Sequence, residues 1–349
     1  MAAVSSFDSI PVLDFHKSLT DKQSFLVQLL KAIVDVGFLY AKNSDFPGDL
    51  VDELKNMLPA LFGISESEKA QIELENSPHF LGYSAVGSET TAGKSDQREQ
   101  FEFVSCQDAN WKPGIPLYKR LTGPNQYPAS LPQTSGLIEA YMLYMSDFAS
   151  RFMKLVAEAL GLPSETFLSF LSHQNRLKIV RYPTANTEAE SQGVGPHKDS
   201  SGWWTFLLQA SPPEIKGLQV LNKAGQWIDV PNIPGTFVIN IGQAFEVVTL
   251  GTCKATTHRV LGGPSERFSV PFFLGVRGDL TKHEALTSLA HHFSHQSAES
   301  EEGAKIDSAF LRGQYDTWGE SQLRTKVRSH RKAGKHFYPE VYEQYINDS

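Results

Sequence analysis

The chain of 349 residues, 40% of them hydrophobic, can bury a large core and lies near the upper limit of single-domain length. Its formal net charge of −7 argues against a nucleic-acid surface, which needs clustered Lys and Arg to displace counterions from phosphates. Its two cysteines, Cys106 and Cys253, stand far apart in no CxxC spacing; this excludes a disulfide framework and a thiolate zinc site and fits a reducing compartment.

Ile10–Asp14 predicts a short strand, and apolar residues at helical spacing predict a helix over Asp21–Val36. Gly37–Tyr40 predicts a second strand in the same small N-terminal layer. Helices follow over Gly48–Phe62 and over Glu66–Glu75, the latter behind a Ser65-x-x-Glu68 capping box. Pro78–Pro132, rich in Gly, Pro, Ser and Thr, predicts long loops over the core. Helix returns over Thr134–Leu160, closed by Gly161-Leu-Pro163, and over Ser164–Leu171. From Arg176 the period changes to strand-like runs: Leu177–Tyr182, Trp203–Gln209, Leu218–Leu221, Trp227–Val230, Thr236–Ile241, Lys254–Val260 and Phe268–Val276. Short strands at this spacing suggest a double-sheet jelly roll. Asp279–Gly313 is polar and irregular, with Ser297–Gly303 the candidate mobile linker, and helices over Glu320–Lys332 and Pro339–Ile346 end the chain.

The fold class expected is therefore β-rich α+β, a jelly-roll core flanked by helices. It divides into an N-terminal helical and strand region (1–172), the strand-rich core (173–278) and a C-terminal loop and helices (279–349) that are a candidate lid. No run reaches the roughly 18 apolar residues of a membrane span, and Met1–Asp14 has no signal-peptide pattern. A cytoplasmic protein with a small-molecule partner, and with no nucleic-acid or membrane partner, is expected; the sequence carries no signal for oligomeric state.

His197-Lys-Asp199 lies where a strand ends, and His258 follows in the run Lys254–Val260. Alternate residues of a strand point to one side, so His197 and Asp199 can take adjacent positions around a metal while a distant strand supplies His258. Two imidazoles and one carboxylate on one face of an octahedron leave three positions open, the arrangement of non-haem iron(II) oxygenases. An isolated His-x-Asp is ordinarily a surface turn. What changes the argument is Arg267-Phe-Ser269, close enough after His258 for a strand, a turn and a return strand to bring it back beside the metal. Alternation puts the Arg267 guanidinium and the Ser269 hydroxyl on one face, where they can receive a carboxylate, and the Tyr182 phenol of Arg181-Tyr182-Pro183 can donate to the same ligand.

In this order the motifs resemble the isopenicillin N synthase-like branch of the iron(II)/2-oxoglutarate-dependent oxygenases. The opening Ile-Pro-Val-Leu-Asp at 10–14, Gly-Leu-Gln-Val at 217–220, Trp-Ile-Asp-Val-Pro at 227–231, Val-Ile-Asn-Ile-Gly at 238–242 and Thr-His-Arg-Val at 257–260 complete the resemblance over about residues 8–276. It implies a distorted double-stranded β-helix with Fe(II) bound by His197, Asp199 and His258. It implies also that Arg267 and Ser269, with Tyr182 nearby, hold the distal carboxylate of 2-oxoglutarate. The activity implied is oxidation of a small organic substrate with O2 and 2-oxoglutarate, by hydroxylation, desaturation or cyclisation, in specialised metabolism. The sequence departs from plant relatives at Arg181-Tyr182, which resembles isopenicillin N synthase itself. An iron oxidase that uses no 2-oxoglutarate is therefore the alternative reading.

Tyr83, Arg98, Trp204 and Phe273 are the candidate substrate contacts. The stretch Ser-Ser-Gly-Trp-Trp after Asp199 is one residue longer than usual and puts Trp203 and Trp204 beside the metal, one of them facing the cavity or both in the core. His291-His292-x-x-His295 reads as a solvent-exposed cluster, Cys253 as a turn residue without a redox role, and Phe245, Tyr315 and Tyr345 as core packing.

Overall fold

The computed structural model describes residues 6–91, 93–185, 192–200, 202–297, 306 and 308–348. Fourteen strands are present among them: β1 (Val12–Asp14), β2 (Phe38–Lys42), β3 (Gly82–Ser84), β4 (Thr90–Thr91), β5 (Lys94–Ser95), β6 (Glu99–Val104), β7 (Arg176–Tyr182), β8 (Gln192–His197), β9 (Trp204–Gln209), β10 (Leu218–Leu221), β11 (Trp227–Asp229), β12 (Thr236–Ile241), β13 (His258–Leu261) and β14 (Arg267–Phe273). Eight make one sheet in the order β1-β2-β12-β9-β14-β7-β6-β3, and four make a second in the order β11-β10-β13-β8. The jelly roll is the pairing of β12-β9-β14-β7 with that second sheet, whose facing apolar residues, among them Val180, Val194, Leu218, Val220, Val238 and Val260, form one buried cluster.

The opposite face of the large sheet is covered by the helix Gln133–Ala159. Its inward side chains include Phe148 and Phe152, which meet Phe206 and Trp204 with ring centroids 5.7 and 5.0 Å apart. Gly161, at φ 74°, ends the helix in the left-handed region that glycine tolerates best.

The N-terminal strands are not a separate layer. β2 pairs with β12 and β6 with β7, so β1, β2, β3 and β6 extend the large sheet on both sides. The region expected as loops, Pro78–Pro132, supplies β3 to β6, and every residue of Glu99–Val104 is buried. Charge within that run disguised it, because its carboxylates are neutralised by partners on β7 and a distant helix. The helix expected over Glu66–Glu75 stops at Gln71 and resumes as a single tight turn, Leu74–Asn76. There the Ile72 carbonyl turns away to accept the Tyr83 N–H at 2.8 Å.

Ser164–Leu171 is a tight helical turn, Thr166–Phe170. The polar segment after Asp279 contains helices Lys282–Thr287, capped by Thr281, and Ala290–Ser297, anchored by buried Leu289 and Phe293. The linker expected at Ser297–Gly303 lies, past Ser297, outside the described residues. The helix expected over Glu320–Lys332 is two, Trp318–Ser329 and Arg331–Phe337, the first opened by a Thr317–Glu320 capping box. Pro339–Asn347 closes the chain much as expected.

Candidate metal centre and cavity

β8 and β13 are neighbours in the four-stranded sheet, and their register sets His197 opposite His258, with ring centroids 4.3 Å apart. Asp199 is not on the strand. It lies in the turn after β8, where its carbonyl accepts the Gln243 N–H at 2.8 Å and its side chain turns inward. Each imidazole Nε2 lies 3.5 Å from Asp199 Oδ1. The other ring atoms explain this orientation: Nδ1 of His197 is 2.9 Å from the Gly195 carbonyl and Nδ1 of His258 is 3.1 Å from the Thr256 carbonyl. Donation of N–H to those carbonyls leaves each Nε2 lone pair directed at the common centre. Asp199 Oδ2 is likewise occupied, accepting from Thr205 Oγ1 at 2.6 Å and from Asn240 Nδ2 at 2.8 Å.

Burial alone would raise the Asp199 carboxyl, but the imidazoles, His258 foremost, hold it well below the ordinary carboxylate range. His197 is pulled down by burial and by His258, whereas Asp199 carries the less exposed His258 upward. An ionised carboxylate oxygen between two imidazole nitrogens is a cation site. Among the described residues these three are the one group of His, Cys, Asp or Glu side chains able to converge on an ion, all their ligand atoms lying within 4.8 Å of one another.

They open onto a cavity of about 620 Å³ lined also by Arg267, Ser269 and Tyr182. β13, the turn after it and the return strand β14 bring Arg267 to this cavity, although β14 lies in the other sheet of the jelly roll. Arg267 and Tyr182 are register partners on β14 and β7. The Arg267 guanidinium is 3% exposed and lies 5.1 Å from the Tyr182 ring centre. Its Nη2 donates to Gln209 Oε1 at 3.2 Å, and its Nη1 is buried without a partner. Gln209 is itself fixed by donation to the Val230 and Pro231 carbonyls. Burial draws the Arg267 pKa down, with Tyr182 opposing.

Residues 10–130 match the family described as non-haem dioxygenase in morphine synthesis N-terminal, and residues 172–276 match the 2OG-Fe(II) oxygenase superfamily. A 2-oxoglutarate-dependent dioxygenase, frbJ, of Dothideomycetidae sp. (strain 11243) is 41% identical over 96% of this chain and 94% of its own. The chain belongs to the 2OG-Fe(II) oxygenase superfamily. A homoarginine-6-hydroxylase of Glycine max is 31% identical over 77% of this chain and 86% of its own. The crystal structure of a full-length Neurospora crassa protein in complex with alpha-KG and thymine superposes with a TM-score of 0.66 at 25% identity, covering 78% of this chain and 87% of that one.

As a member of this superfamily the protein is an iron(II)- and 2-oxoglutarate-dependent oxygenase acting on a small substrate; the oxidase alternative is not favoured. The side chains fit both groups. Two imidazole nitrogens and a carboxylate oxygen suit iron(II), and the unpartnered Arg267 Nη1 suits a carboxylate. Among the described residues no helix is long and apolar enough to cross a membrane.

Of the other expected contacts, Arg98 and Phe273 line the cavity, whereas Tyr83 and Trp204 do not. The Tyr83 hydroxyl donates to Glu99 at 2.6 Å and its ring packs on Phe101. Trp203 and Trp204 are both fully buried against Phe245, so both belong to the apolar core and neither lines the cavity. Phe245, Tyr315 and Tyr345 pack in apolar clusters. Burial pushes the Cys253 thiol up to about 12. His292 is tied to the Leu160 carbonyl and His291 is exposed, while the His295 side chain lies outside the described residues.

Sequence reasoning passed over Thr205, Asn240 and Gln209. A lone amide in the otherwise apolar run Thr236–Ile241 was the available signal for Asn240. It also passed over the charged wall formed by Glu89, Glu102, Arg176, Lys178 and Lys326.

Proposed function

We propose that His197 and His258 through Nε2, and Asp199 through Oδ1, hold the iron(II). In the same reading Arg267, with Ser269 and Tyr182, receives the distal carboxylate of 2-oxoglutarate. The observation that carries it is the Arg267 guanidinium, buried, with one nitrogen unpartnered, and lining the same cavity as the three metal-competent side chains. A buried cation of this kind is costly without an anion. When bound, iron(II) would let O2 act as the oxidant, with two electrons taken from 2-oxoglutarate, which leaves as succinate and CO2, and two from a substrate C–H bond.

The protein's own part is orientation. The Gly195 and Thr256 carbonyls fix the imidazoles, and Thr205 and Asn240 reserve Asp199 Oδ1 for the metal. Gln209 steers the Arg267 fork, and Val180, Leu207, Leu218 and Val260 keep the surroundings dry. Arg98 and Phe273 are the substrate contacts this reading retains, and hydroxylation of a small polar molecule is the outcome it favours. The hydroxylase named among the relatives, and the charged residues of the cavity wall, support that preference.

The test is anaerobic titration of the apoprotein with Fe(II) and then 2-oxoglutarate, following the visible charge-transfer band of the chelate. The band is expected in the wild type. Arg267→Ala is expected to retain iron and to bind 2-oxoglutarate at least tenfold more weakly. Unchanged 2-oxoglutarate affinity in that variant would overturn the role given to Arg267.

A further inference from the structure

The cavity-facing side of β7 reads Arg176, Lys178, Val180, Tyr182, alternate residues of one strand. Tyr182 stands opposite Arg267, whereas Arg176 stands opposite Phe273, which in turn stands opposite Thr205 beside Asp199. Lys178 is four residues from Tyr182, roughly 13 Å along the strand. Arg176 and Lys178 therefore belong to a different part of the cavity from Arg267.

There they gather, with Lys326 of the helix Trp318–Ser329, around one fully buried carboxylate. Glu102 Oε1 accepts from Arg176 Nη1 and from Lys326 Nζ, both at 2.5 Å, and its Oε2 accepts from Lys326 at 2.7 Å. Lys178 is left with the poorest contacts, 3.8 Å to Glu102 and 3.4 Å to Glu89. Both exceed the roughly 2.7–2.9 Å of a good charge-assisted bond. Glu89 cannot make up the deficit, because Arg98 holds it at 2.6 Å and His330 lies 3.4 Å away.

Three cations thus line this wall, Arg176, Lys178 and Lys326, against the two carboxylates Glu89 and Glu102, of which Glu89 is shared with Arg98. Buried Asp96 offsets only Arg98, at 3.2 Å. In a chain whose net charge is −7, this is a local reversal of sign at the end of the cavity remote from Arg267. Burial, with Arg176 and Lys178 beside it, pushes Lys326 down to about 8 against the pull of Glu102, as expected of a cluster short of negative charge.

We propose that Arg176, Lys178 and Lys326 form a subsite for an oxyanion carried by the substrate, with Glu102 as the fixed counter-charge that holds the three together. This rests on the reading above, in which Arg267 is the site of 2-oxoglutarate. Lys178, with its weak internal partners, is the main donor to the substrate.

The experiment uses the anaerobic protein loaded with Fe(II) and 2-oxoglutarate and two probe sets. One is hexanoate, hexanamide and hexyl phosphate; the other is L-homoarginine and its carboxamide. Binding is read by calorimetry and by perturbation of the charge-transfer band. At least one acid is expected to bind tenfold or more tightly than its amide. That preference is expected to fall below threefold in Lys178→Gln and Arg176→Gln, both of which keep the band. Whether hexanoate or hexyl phosphate binds better tells a carboxylate substrate from a phosphorylated one. Equal binding of acids and amides, failure of every probe to bind, or a preference that survives both substitutions would overturn the subsite. Failure of the band to form in the wild type would instead strike the assignment of the metal and 2-oxoglutarate.

Discussion

Thr205→Val removes one hydroxyl from the metal centre and leaves the shape of the side chain nearly unchanged. Thr205 Oγ1 donates to Asp199 Oδ2 at 2.6 Å, with Thr205 itself only 4% exposed, so no bulk water replaces the lost donor. A hydrogen bond to a charged group is worth about 1.5–3 kcal/mol. At roughly 1.4 kcal/mol for each factor of ten, that is a 10- to 100-fold change in an equilibrium, the range found when partners of metal-binding side chains are removed. Asn240 still donates to the same oxygen at 2.8 Å, which sets the expectation at the lower end. Iron(II) affinity should therefore fall about tenfold. Equilibrium competition against a chromophoric chelator, under anaerobic conditions and without 2-oxoglutarate, measures this directly. Affinity within twofold of wild type would refute the idea that Thr205 reserves Asp199 Oδ1 for the metal, provided the variant melts cooperatively near the wild-type temperature.

Trp204→Ala tests whether the second tryptophan belongs to the core: a fully buried ring between Phe152 and Phe245 should cost about 3–5 kcal/mol in urea unfolding, and a loss below 1 kcal/mol would contradict its placement. Lys326, pushed down to about 8 among Glu102, Arg176 and Lys178, binds its proton less tightly in the folded chain than in the unfolded one. The unfolded chain thus holds more protons as pH rises from about 8 toward the ordinary lysine value of about 10.4, and stability attributable to Lys326 rises through that window. Relative to Lys326→Met, wild type should gain stability between pH 8 and 9.5 and show no trend between pH 6 and 7; a flat difference across both ranges would refute the shift.

The jelly roll and the convergence of His197, Asp199 and His258 were legible in the sequence because each left a local mark. Strand runs from Arg176 onward ended in turns, and His197-x-Asp199, uninformative alone, gained meaning from His258 and Arg267-x-Ser269 following in order. The hidden part is the charged wall. In Arg176-Leu-Lys178 the alternation of charge and apolar side chains is what an ordinary half-exposed strand shows, and sequence does not tell a face turned to solvent from one turned to a cavity. Glu99–Val104 was concealed for the same reason: Glu102 is buried only because Arg176 and Lys326, distant in the chain, come to meet it. The Trp203-Trp204 pair illustrates the converse. Nearness in sequence to Asp199 suggested a cavity contact, but Trp204, at the start of its strand, packs on Phe152, and Trp203, just before it, stacks on Phe170, both in the apolar core.

The helix Trp318–Ser329 lends Lys326 to the cavity wall, and one turn earlier its Gln322 donates to the Ser200 carbonyl, next to Asp199, the proposed iron ligand. The same rod thus grips the recognition end and the reactive end of the enzyme. A protein engineer who grafts the C-terminal segment of one relative onto the barrel of another, hoping to transplant selectivity, would also exchange the strut behind Asp199. Such chimeras should carry a Gln322 equivalent with the graft, or altered selectivity and slackened iron retention will arrive together and be mistaken for a single effect.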